Sequence, residues 1–86
     1  MKVIDKPVAV LALFSKQGIP KPLIFSITEE DEMHEIKNIK VIRMYDCKIN
    51  KKKVTIYSCY AVINNIKRNF ELRFYPADIS WVLYKI

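Results

Sequence analysis

The stretch Lys53–Tyr75, KVTIYSCYAVINNIKRNFELRFY, decides the fold. Two runs rich in β-branched and aromatic residues flank Asn64-Asn65. Such runs around a two-residue turn read as a β-hairpin. A type I′ turn needs positive φ at both central positions, and asparagine tolerates that better than any residue except glycine. The turn fixes a register, with Ile63 opposite Ile66, Ala61 opposite Arg68, Cys59 opposite Phe70, Tyr57 opposite Leu72 and Thr55 opposite Phe74. Side chains alternate along a strand, so these ten share one face. It is almost wholly apolar and is assigned to the core. The other face sets Val62 against Lys67, Tyr60 against Asn69, Ser58 against Glu71, Ile56 against Arg73 and Val54 against Tyr75.

Working outward, the remaining apolar runs are short, β-branched and separated by turn residues, the pattern of an all-β chain. Candidate strands are Val8–Phe14, Leu23–Ile27, Glu35–Met44 and Ile79–Tyr84, beside Lys53–Ile63 and Ile66–Tyr75. The breaks fall at Ser15–Pro22, Thr28–Met33, Tyr45–Lys52, Asn64–Asn65 and Pro76–Asp78. Val8–Phe14 is apolar throughout, so it reads as a strand covered on both faces or placed centrally. Thr28–Met44 has two readings. Thr28 can cap a helix with Glu29, Glu30 and Asp31 in its first turn, an order that suits the helix dipole. The strand reading puts the acids in a hairpin loop and is preferred, because Ile39–Met44 is rich in β-formers. About six antiparallel strands with short turns imply a meander forming a small barrel or strongly curved sheet. The expected core includes Phe25, Ile27, Cys59, Phe70, Leu72, Phe74, Trp81 and Leu83.

Eighty-six residues, half of them hydrophobic, allow one small domain over residues 1–86. One glycine excludes phosphate loops and dinucleotide fingerprints, which need several at fixed spacing. One histidine and two cysteines exclude a closed zinc site. Cys47 and Cys59 are not spaced as CxxC, and Cys59 reads as a small buried hydrophobe. Val8–Phe14 is too short for a membrane helix and lacks a following small-residue cleavage site, so it is read as neither anchor nor signal peptide. Reduced thiols and no export signal point to the cytoplasm, with no membrane partner.

No set of residues suggests catalysis. Asp31, Glu32, His34 and Glu35 could hold a cation, but they lack the alternating ligands and central glycine of a calcium loop. A solvated turn is the simpler account. The single His34 has no glycine-framed nucleophile to serve, and no carboxylate pair is set across a cleft. We therefore read the chain as non-enzymatic, without cofactor or metal.

The charge is +6, fifteen Lys and Arg against nine Asp and Glu. A basic surplus attracts polyanions. It also fits an AT-rich coding sequence, since arginine is confined to Arg43, Arg68 and Arg73. Lys48–Lys53 reads as a loop that grips phosphates, or as a solvated turn whose lysines guard a strand edge. The mixed face of the hairpin supplies the candidate binding surface: Val54, Ile56, Tyr60, Val62, Lys67, Arg73 and Tyr75, with Lys51, Lys52 and Lys53 beside it. Aromatics among cations on a β face can stack bases. The aliphatic members equally suit a protein partner or a homo-oligomer, or another segment can fold over them.

Gly18 with Pro20, then Phe25, Phe70-Glu71-Leu72, and Trp81 with Leu83 form a pattern over most of the chain. In this it resembles a group of small uncharacterised bacterial all-β proteins. It departs from that pattern at Ile27, where the group has an aromatic, and in its longer acidic loop. The resemblance implies a β architecture and no catalytic residues. Some members of the group look like companions of DNA-repair polymerases, which implies nucleic acid as a possible neighbour. The sequence therefore points to a protein-interaction or self-associating β module, with single-stranded nucleic acid or another polyanion as the alternative ligand.

Overall fold

The computed structural model describes all 86 residues. Seven strands form one sheet: β1 (Val3–Phe14), β2 (Pro20–Glu29), β3 (Glu32–Ile36), β4 (Lys40–Ile49), β5 (Lys52–Ile63), β6 (Ile66–Tyr75) and β7 (Ser80–Lys85). Their order is β3-β2-β1-β7-β6-β5-β4, and every pairing is antiparallel. The expected all-β class holds. The strand number and the closed barrel do not: the count is seven, and β3 and β4 do not pair with each other. The expected strand Glu35–Met44 breaks at Lys37–Ile39, where Asn38 takes φ 55°. Successive antiparallel pairings make β3 and β4 run in the same direction. They are two halves of one kinked path, so they meet end to end and cannot form a ladder.

That link also bends the sheet. Seven flat strands would span about 29 Å between edges at about 4.8 Å each. Four residue steps from Ile36 to Lys40 reach at most about 14 Å, so the sheet must curl to bring its edges together. β1 accommodates the curl by changing partner. Its first half, Val3–Val8, pairs with β7, and its second half, Ala9–Phe14, pairs with β2. Asp5, at φ 46°, sits where the β1–β7 register slips.

Three hairpins close on two-residue turns with both φ values positive: Glu30-Asp31, Asn50-Lys51 and Asn64-Asn65. The last gives the expected register, from Ile63–Ile66 through Thr55–Phe74. The first settles Thr28–Met44 as a hairpin followed by a strand, with no helix. The second replaces the expected Tyr45–Lys52 break, so Lys48 pairs with Lys53 in the ladder. Pro20 and Pro22 lie inside β2, not before it. β3 pairs only with Phe25–Glu29, so the first half of β2 has a free side where a missing N–H costs nothing.

The inner face carries the core of Phe25, Ile39, Tyr57, Cys59, Ala61, Phe70, Leu72, Phe74, Trp81 and Leu83. Every expected core residue is buried except Ile27, which is half-buried at its margin. Aromatic rings fill one end, with Trp81 4.8 Å from Phe74 and 5.3 Å from Tyr57 between centroids. The Tyr57 hydroxyl donates to the Pro20 carbonyl, tying β5 across the interior to the start of β2. No helix of the structure is long and apolar enough to cross a membrane.

Candidate interaction surface

The hairpin face singled out by the sequence is the outer face of β5 and β6, and the structure divides it. Val54 and Ile56 are 0% and 4% exposed. Their ladder partners are Cys47 and Tyr45 on β4 and, for Ile56, Arg73 on β6. These two aliphatics therefore pack within the chain and line no surface, which corrects the sequence reading. Tyr60 and Tyr75 are half-buried, and Val62 is exposed.

The cations on this face are also committed. Arg73 Nε donates to the Glu71 carboxylate at 2.7 Å, and its guanidinium lies 3.3 Å from the Tyr84 ring centroid. Burial works against the charge on Arg73, but Glu71, Tyr75 and Tyr84 outweigh it and hold its pKa above the ordinary value. Lys67 sits 4.4 Å over the Tyr60 ring, and Arg43 lies 5.8 Å from that of Tyr45. Cations on three of the tyrosine rings compete with any base that would stack there. Glu71 itself is buried, with Lys85 at 3.9 Å from its other oxygen.

Lys51 occupies the β4–β5 turn at φ 69°. Lys52 and Lys53 follow on the strand, 3.5 Å from Asp78 and 3.9 Å from Asp46. Of the two readings of Lys48–Lys53, the structure has the turn: it is tight, and two of its lysines already stand beside carboxylates. Cys47 and Cys59 are free thiols, and burial pushes Cys59 up to about 12. His34 is 3.9 Å from Glu32 on the exposed β3.

Sequence reasoning missed the second half of β1. Because β7 pairs only with Val3–Val8, the side of Ala9–Phe14 that faces away from β2 has no strand beside it. A groove of about 570 Å³ lies there, lined by Ala9, Leu11, Phe14, Ile79 and Trp81. Leu11, Leu13 and Ile79 are 61%, 63% and 76% exposed. Of the two expectations for Val8–Phe14, the central place in the sheet holds, and cover on both faces does not, since Leu11 and Leu13 are exposed. Ile79 also takes φ 49°, a costly conformation for a β-branched residue.

The outermost strands differ in kind. β3 is five residues long and carries Glu32, His34 and Glu35. β4 carries Lys40, Arg43, Asp46 and Lys48 and has a register slip between Val41 and Arg43. Charge, shortness and irregularity are the usual devices that keep edges from mispairing. The free half of β1, Ala9–Phe14 (AVLALF), carries no charged side chain; its one irregularity is a register slip against β2 between Leu11 and Ala12. No protein-family model matches this chain, nor does any curated protein or solved structure.

Proposed function

We propose that the chain is a non-enzymatic protein-interaction domain that associates with a second copy of itself by strand addition along Ala9–Phe14 of β1. The single observation behind this reading is a sheet edge left bare and uncharged beside an apolar groove, while both outermost strands carry charges. Unpaired backbone N–H and C=O groups on an edge are a template for another strand. A second copy fits because antiparallel pairing of this stretch with itself about a two-fold axis opposes no like charges. It would also cover Leu11, Leu13 and Ile79.

The test is the oligomeric state by light scattering from about 1 µM to about 500 µM. The wild type should shift from monomer to dimer across that range. Leu11→Lys, which changes an exposed side chain, should remain monomeric with an unchanged circular dichroism spectrum. A wild type that stays monomeric throughout overturns the reading.

Polyanion binding ranks second. It draws on Lys48, Lys51, Lys52 and Lys53 at the β4–β5 turn, and loses support from the ion pairs and ring stacks that occupy its other groups.

A further inference from the structure

The two ends of the rolled sheet are filled differently. Aromatic rings close one end, whereas the other keeps an open mouth of about 590 Å³ whose floor includes Phe25 and Leu83. Five isoleucines, Ile4, Ile27, Ile36, Ile63 and Ile86, line it and are only half-buried. They come from different parts of the chain and pack against the core. A concave apolar space of ~300–1,000 Å³ with a few polar groups at its rim is the usual form of a small-molecule site.

The rim is electrically divided. Glu29, His34 and Glu35 stand on the β2–β3 side, and Arg68 with Asn64 on the β5–β6 side. Arg68 is exposed and forms no ion pair. It and Ile86 also line an adjoining depression of about 640 Å³ that includes Lys2, Lys67 and Asn69. An apolar mouth thus runs into a cationic shelf, and the two share Arg68. A guanidinium offers carboxylate or phosphate oxygens two parallel hydrogen bonds.

We propose that this mouth binds a single-chain amphiphile, its apolar tail among the five isoleucines and its anionic head on Arg68. This site is separate from the β1 groove and does not depend on self-association. The shared chemistry of the ligand is an alkyl chain ending in a carboxylate or a phosphate.

The test follows isoleucine methyl and backbone resonances of the full chain during titration with decanoate or decyl phosphate, both kept below micelle formation. Decanol and inorganic phosphate are the controls. The two amphiphiles should give saturable shifts centred on Ile4, Ile27, Ile36, Ile63 and Ile86, and the tighter of them identifies the head. Arg68→Gln should weaken that one about tenfold and leave decanol unaffected. Ile36→Gln, on the edge strand, should weaken amphiphile and decanol alike. The proposal is overturned if the shifts are absent or fall in the β1 groove, or if Arg68→Gln binds as tightly as wild type. It is equally overturned if inorganic phosphate alone binds as well as decyl phosphate, or if only anionic phospholipid vesicles bind.

Discussion

At the scale of single residues, Tyr57 and Cys59 show how burial sets chemistry. Burial, with smaller contributions from Asp46 and Cys59, raises Tyr57 from 10.0 to about 12. Burial alone raises Cys59 from 9.0 to about 12. Both shifts place the folded-state pKa above the unfolded one. The stability tied to the neutral groups is therefore fully present below pH about 9 and is lost as pH climbs toward about 12. Chemical denaturation at stepped pH should show this alkaline loss, and Tyr57→Phe should remove part of it. The same substitution should cost about 1–2 kcal/mol at neutral pH, because the buried Pro20 carbonyl loses its donor. An unchanged alkaline profile in Tyr57→Phe would show that other groups govern it.

Among the elements, the turns carry the most information. With one glycine in the chain, nine other residues adopt positive φ, and four of them are asparagines. Ile79 is the costliest, since a β-branched side chain crowds the backbone in that region. Ile79→Asn should therefore stabilise the monomer by about 1 kcal/mol in thermal or chemical melts. It should also weaken dimer formation, because Ile79 lines the β1 groove. A variant neither more stable nor poorer in association would refute the link between strain and the groove. Asn64-Asn65 was legible in the sequence because a type I′ turn asks for that residue type, and it carried the whole β5–β6 register with it. Asn38 was not legible, because one left-handed residue inside an apolar run leaves the period almost unbroken. The seventh strand and the open sheet follow from that one position. Of the candidate site, Tyr60, Val62 and Lys67 were placed correctly on the outer face. Val54 and Ile56 were not separable from them, since strand alternation puts all five on one face and does not show which of them the fold buries. The bare half of β1 was invisible for a related reason: only the change of partner between Val8 and Ala9 exposes it.

Taken as a whole, the molecule separates its charges. Five of its nine acids lie within Glu29–Glu35 at the β2–β3 turn, beside the Arg68 end of the hairpin. The lysine-rich turn begins β5 at the opposite end, eleven strand steps away, in a molecule whose longest dimension is 34 Å. At physiological ionic strength the Debye length is about 8 Å, so the two poles do not screen one another and a polyanion meets the lysine pole as a separate patch. That patch is small. Lys52 and Lys53 already stand beside Asp78 and Asp46, and of the two candidate stacking rings Tyr60 already carries Lys67, while Arg73 is held on Tyr84. Binding of single-stranded DNA should therefore be weak, with Kd of about 10⁻⁴ M or above at about 0.15 M salt, and should fall further as salt rises. Fluorescence anisotropy of a labelled oligonucleotide across a salt series measures this directly. A Kd below about 1 µM at that ionic strength would require specific contacts, and would raise polyanion binding above self-association as the chain's role.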